Sequence, residues 1–154
     1  CLIMSYSFKV IEGQAAYESS LAFLLFEIDR QFFPTPWDEG SWTNLFHEHD
    51  RLLVVINDSD TIIGFALFDR VIADSFAHLL KIVIHPTRRG QGLAKELLNK
   101  SLLVLEAGGC SHFFLEVEET NSSAQKLYLS AGFNVIHRKK NFYGENRAAL
   151  IMTR

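Results

Sequence analysis

Three side chains in the second half of the chain have types and spacing suited to proton transfer: Glu116, Asn121 and Tyr128. A carboxylate can take a proton from an attacking group, and a phenol can give one to a leaving group. Asn121 opens a short helical stretch as an N-cap, its side-chain oxygen accepting from the free amides of the first turn. Upstream stands Arg89-Gly90-Gln91-Gly92-Leu93-Ala94, followed by Lys95. Glycines there let the backbone approach a ligand closely. The first amides of a helix lack internal partners and carry the positive end of its dipole. Phosphate oxygens suit those amides, with Arg88, Arg89 or Lys95 adding charge. Each feature also has a plain structural reading: a Glu exposed at a strand end, an Asn that only caps, a packed Tyr ring, a glycine turn between solvated arginines. The turn is not a Walker-type loop, because no Gly-x-x-x-x-Gly-Lys-Ser/Thr pattern occurs.

The elements that must position these residues follow from periodicity. A strand is expected at Ser7–Glu12 and a helix at Gln14–Phe32, where Leu21, Leu24, Leu25, Ile28 and Phe32 share a face. Pro34 and Pro36 end it in the loop Phe33–Asp38, and a short helix is expected near Glu39–His49. Arg51–Asn57 and Thr61–Ile72 flank the turn Asp58-Ser59-Asp60 as a hairpin, and Phe76–Ile84 is a third consecutive strand. Leu93, Leu97, Leu98, Leu102 and Leu105 make a helical face from Gln91 to Ala107, which Gly108-Gly109 ends. In the strand His112–Glu118, Phe113, Leu115 and Val117 face one way and Phe114, Glu116 and Glu118 the other. A helix from Asn121 through Ala131, closed by Gly132, precedes the strands Phe133–Lys139 and Arg147–Thr153. The order β-α-α-β-β-β-α-β-α-β-β describes an α/β domain, a mixed and mostly antiparallel sheet flanked by about four helices. Three strands in a row before the third helix exclude a doubly wound nucleotide-binding fold.

Composition bounds the function classes. A chain of 154 residues is one domain, expected to span residues 4–154, and 48% hydrophobic residues fill a core without staples. Fifteen Lys and Arg against 18 Asp and Glu leave a net charge of −3. That balance argues against general nucleic-acid binding, which needs a basic surface. Cys1 and Cys110 provide no disulfide framework, and Cys110 reads as a small core residue. No apolar run approaches the ~18–20 residues of a membrane span, and the first residues lack a signal-peptide pattern. The expectation is a cytoplasmic protein with no membrane partner. His47 and His49 on one helix point their rings apart, and His78, His85, His112 and His137 are scattered, so no metal is expected.

Taken together, the segments resemble the GCN5-related N-acetyltransferase superfamily. The resemblance rests on Ile82-Val83-Ile84-His85-Pro86, the Arg-Gly-Gln-Gly-Leu-Ala turn with its Leu-rich helix, and Leu115-Glu116-Val117. Asn121-Ser122-Ser123-Ala124-Gln125-Lys126-Leu127-Tyr128 and Ala131-Gly132-Phe133 complete it, so that it covers nearly the whole chain. Within the superfamily the chain is most similar to the RimI-type enzymes that acetylate protein α-amino groups. It shares with them the Pro36-Trp37 loop and the Asn141-Phe142-Tyr143 stretch, though Phe142 stands where that group usually has Tyr and Ala94 where Gly is frequent. The resemblance implies acetyl-CoA between splayed strands, its pantetheine on the backbone of Ile82, Val83 and Ile84. It implies the pyrophosphate on the amides of Arg89, Gly90, Gln91, Gly92, Leu93 and Ala94, with Lys95 beside it and Asn121 on the cofactor arm. Glu116 would help remove the amine proton and Tyr128 would protonate the departing thiolate. Specificity would come from the loops Phe33–Trp42 and Asn141–Asn146, hence from Phe33, Trp37, Phe142 and Tyr143 rather than from the other phenylalanines.

The acceptor must attack as a neutral amine. An α-amine of pKa ~7.7–8.0 costs about 1 kcal/mol to deprotonate at pH 7, a lysine side chain about 4.6 kcal/mol. A single Glu is therefore better matched to an α-amine, and a protein N-terminus is the leading acceptor. Acetylation of a small-molecule amine is the alternative, and a non-catalytic acyl-CoA-binding regulatory domain is a third reading. Oligomeric state has no signature in the sequence.

Overall fold

β-Branched and aromatic runs cut by short turns become the strands of one sheet. The computed structural model describes residues 6–154. Cys1 and Met4, where the domain is expected to begin, lie outside the described residues. Strands β1 (Tyr6–Ile11), β2 (Arg51–Asp58), β3 (Thr61–Val71), β4 (Phe76–Ile84), β5 (His112–Glu118), β6 (Asn134–Lys139) and β7 (Ala149–Thr153) stand in the order β1-β2-β3-β4-β5-β7-β6. Neighbours are antiparallel except β4 and β5. Helices α1 (Ser19–Phe32), α2 (Glu39–Thr43), α3 (Leu93–Ala107) and α4 (Ser122–Ser130) cover the sheet. The expected order and the mixed, mostly antiparallel sheet are both present. Among the described residues no helix is long and apolar enough to cross a membrane.

Each face of the sheet has its own core. On one, Leu97, Leu98, Leu102 and Leu105 of α3 and Tyr128 of α4 meet Leu52, Val54, Ile56, Leu115 and Val117. On the other, Leu25 of α1 and Trp42 of α2 meet Leu53, Val55, Phe65, Leu67 and Val83. Interior strand β2 is covered on both faces, which is why it reads as an unbroken apolar run rather than an alternation. Cys110 is buried, as a small core residue.

The first two helices differ from expectation. Gln14–Ala16 is a separate 3-10 turn, because Tyr17 is buried and donates its hydroxyl to Trp42 O at 2.6 Å, pulling the chain out of helical geometry before α1. The inward face of α1 centres on Ala22, Leu25 and Asp29, while Leu24 is exposed. A fully buried aspartate sets that rotation, and a count of apolar residues cannot see it. Helix α2 stops at Thr43, six residues short of His49, because Asn44 and His47 close successive turns there. The other boundaries shift by a residue or two, as helix and strand ends do.

Gly64 on β3 shows how closely β3 and β4 approach. A Cβ there would lie 2.4 Å from the Val83 carbonyl oxygen and 2.8 Å from Ile84 Cδ1. Gly64→Ala is therefore expected to destabilise the fold by roughly 1–3 kcal/mol. Gly13→Ala, whose Cβ meets nothing within 4 Å, is the control. Urea midpoints that move equally for the two would contradict this account.

Candidate active site

Strand β4 starts beside β5 and then leaves it. Parallel pairing covers Phe76 with His112, Ala77 with Phe113 and His78 with Phe114. Beyond these rungs β5 continues against β7 and β4 against β3. A β-bulge lies just past the last rung: Leu67 faces Lys81 and Phe68 faces Leu79, so Leu80 has no partner on β3. A bulge bends its strand and increases the local twist. Leu79 and Ile82 pack with the α3 core, whereas Leu80 packs with the α1 core and Lys81 bonds to α1. The diverging strands border a cleft of about 850 Å³, onto which Ile82, Val83 and Ile84 open. The freed edge of β4 offers backbone donors and acceptors to an extended ligand, in the manner of strand addition.

The glycine turn lines part of the cleft. Gly90 and Gly92 have φ of +79° and +76°, a left-handed conformation that favours glycine, and a Cβ on either would meet nothing within 4 Å. Their role is thus conformational, aiming the start of α3 at open space. Glu96 N bonds back to Gly92 O, so the amides of Leu93, Ala94 and Lys95 precede the first intrahelical bond. Such a terminus fits a pyrophosphate. The charges around it are unequal. Arg88 is tied to Asp58 and Arg89 donates Nε to Ile84 O, so the Arg88 charge is already countered. Gln91 has its side chain outside the cleft wall, accepting from the Tyr6 hydroxyl at 2.7 Å.

The proton-transfer candidates share the same cleft. Glu116, Asn121 and Tyr128 all line it. Asn121 caps α4, accepting from Ala124 N at 3.2 Å. Tyr128 is only 7% exposed, and burial pushes its phenol well above the usual tyrosine value, with Tyr143 adding to the effect. Tyr143 is pushed up to about 12, first by burial and then by Glu116 and Glu118. Both phenols therefore stay protonated at neutral pH and can donate. Arg147 grips Glu118 in a two-point bond of 2.8 and 2.9 Å, holding that carboxyl below its usual value. Glu116 is instead hydrogen-bonded by His78 Nε2.

Phe33 and Trp37 line the cleft at the end of α1 and in the loop after it. Asp29 organises that loop: its carboxylate accepts from Trp37 N, Trp42 Nε1 and Lys81 Nζ, each at 2.8 Å. Lys81 Nζ lies 4.5 Å from the Phe33 ring centroid and 5.0 Å from that of Trp37, within cation–π range. Of the residues expected in the acceptor region, Phe142 alone stands off the cleft wall. It is 40% exposed, edge-on to Tyr143, with Lys139 at 5.4 Å. Sequence reasoning missed Asp29, His78, Lys81, Glu118 and Arg147. Strand alternation put Glu118 on the Glu116 face, but nothing in the sequence signals the partners of the other four.

Residues 22–133 match the model of the Acetyltransferase (GNAT) family. The chain belongs to that family. The acetyltransferase is similar to the ribosomal protein bS18-alanine N-acetyltransferase of Haemophilus ducreyi, 36% identical over 83% of this chain and 89% of that protein. It is 39% identical to the enzyme of that name from Haemophilus influenzae, over 77% of this chain and 79% of that one. Its fold superposes on the crystal structure of the ribosomal-protein-S18-alanine N-acetyltransferase from Escherichia coli with a TM-score of 0.81 and 25% identity, covering 96% and 92% of the two chains. The acetyltransferase takes its acetyl group from acetyl-CoA and transfers it to an amine nitrogen. The splayed strands and the glycine turn fit that donor.

Proposed function

We propose that the acceptor is the α-amino group of a protein N-terminus, with alanine of a ribosomal protein as the first candidate, and that Glu116 and Tyr128 carry the proton transfers. The observation that carries the reading is a carboxylate and a buried, protonated phenol lining one cleft with the glycine turn. The names of the Haemophilus relatives support the acceptor class. The backbone of Ile82–Ile84 and the amides of Arg89–Lys95 hold the acetyl donor, with Asn121 beside its arm. Glu116 takes the proton of the attacking amine, directly or through a water. The nitrogen bonds to the acetyl carbonyl carbon, the carbon–sulfur bond breaks, and Tyr128 gives its phenolic proton to the sulfur. A thiol of pKa ~8.5 leaves readily when a proton is held ready for it. Phe33, Trp37 and Tyr143 border the acceptor end, and Phe142 supports Tyr143 from outside.

Thiol release from acetyl-CoA measured over a panel of acceptors tests the reading. Short peptides with a free N-terminal alanine should turn over. The same peptides blocked at the N-terminus but containing lysine, together with polyamines and free amino acids, should be poor acceptors. Turnover confined to small amines would overturn the protein acceptor and favour the small-molecule alternative.

A further inference from the structure

Glu116 has a partner on the neighbouring strand, at the point where the strands part. His78 forms the last rung between β4 and β5, paired with Phe114, and Glu116 lies two residues further along β5 on the same face. The His78 ring stacks on Phe114, with centroids 4.1 Å apart and planes 15° from parallel. Its Nε2 meets Glu116 Oε2 in a short hydrogen bond, the carboxylate accepting. Both side chains are part-buried, at 24% and 21% exposure, where solvent screens such a bond less than at an open surface. Glu116 borders the cleft, while His78 and Phe114 are not part of its lining.

We propose that His78 is a positioning residue for the acetyl transfer: it holds one carboxylate oxygen of Glu116 so that the other is presented to the attacking amine. The inference rests on the reading of Glu116 as the base. A glutamate has three side-chain torsions, and left free it samples several rotamers, losing entropy whenever it is held. An imidazole stacked on a ring and fixed to the last rung of the sheet is a donor of two torsions that is already in place. The bond therefore selects one Glu116 rotamer before substrate arrives, and reach and direction govern a general base as much as its basicity does. Tyr143, whose phenol feels the Glu116 charge, lines the same cleft.

The test separates donor from packing. His78→Phe keeps a ring for Phe114 and removes the N–H, whereas His78→Gln loses the ring and keeps an amide N–H at a similar reach. Glu116→Gln is expected to lower kcat roughly 10²-fold, and His78→Phe roughly 10-fold with the KM for acetyl-CoA unchanged. His78→Gln should restore most of the rate. In the double variant, His78→Phe should add nothing to the loss from Glu116→Gln, because the residue acts through that carboxylate. If Phe is not accommodated, His78→Leu removes the same donor in less volume, with urea midpoints checking the fold. A wild-type kcat in His78→Phe, a His78→Gln as slow as His78→Phe, or losses that multiply in the double variant would each overturn the inference. A wild-type kcat in Glu116→Gln would instead overturn the reading of the base.

Discussion

Tyr128→Phe is expected to reduce kcat roughly 10²-fold while leaving the fold and acetyl-CoA binding intact, the lower end of what a positioned acid contributes. The substitution removes one hydroxyl and keeps the ring that packs edge-on to Phe133, at 6.2 Å between centroids. The pH dependence follows from the burial. A general acid works in its protonated form, and burial has raised the Tyr128 phenol above the ordinary tyrosine value of about 10. The acid therefore stays competent as pH rises through 8 and 9, and no alkaline fall in kcat below about pH 10 should belong to Tyr128. Single-turnover rates across that range, with acetyl-CoA affinity measured separately, check both points. A variant with the wild-type kcat would make Tyr128 a packed ring and nothing more.

Asp29→Ala is expected to be the most destabilising single substitution near the cleft, at about 3–5 kcal/mol. The carboxylate is fully buried and its three donors come from the loop, α2 and β4. Truncating it strands a Lys81 ammonium that is only 6% exposed, together with the indole N–H of Trp42 and the amide of Trp37. Lys81→Met should cost less, about 1–3 kcal/mol, because Asp29 keeps two N–H donors and the thioether suits the Phe33 and Trp37 rings. Urea unfolding of the two variants gives the comparison. The asymmetry is the diagnostic result: equal losses, or a worse loss in Lys81→Met, would mean that Asp29 is not the hub. Phe33 and Trp37 border the cleft from this same cluster, so Asp29→Ala should also raise the KM for the acceptor under conditions where it remains folded.

Much of the fold was legible because local signals agreed with the global arrangement. Phe76–Ile84 and His112–Glu118 were bounded by turn residues on both sides and appear with the expected limits. Asn121 and the glycines around α3 and α4 marked helix ends for conformational reasons that act within a few residues. The α1 face was less legible because Asp29 sits where an apolar residue is expected, and only its partners on other elements make that position tolerable. Helix α2 was overextended because Trp42, Leu45 and Phe46 mimic a helical face while serving a tight turn.

The sequence by itself determined the order of elements, the glycine turn before α3, and the face of β5 that carries Glu116. All of these depend on periods and steric preferences within one segment. Only the tertiary structure decided which side chains share a site. The bulge at Leu80 and the early end of β4–β5 pairing arise from contacts between strands far apart in the chain. Those contacts bring His78 to Glu116 across 38 residues and Lys81 to Asp29 across 52. They also tie Arg88 to Asp58, while Arg89 bonds to the Ile84 carbonyl, so charges that read as equivalent around the glycine turn have different partners. A hydrogen bond or ion pair is specified by two residues and the distance between them, and sequence spacing carries no information about that distance once the chain has crossed between strands.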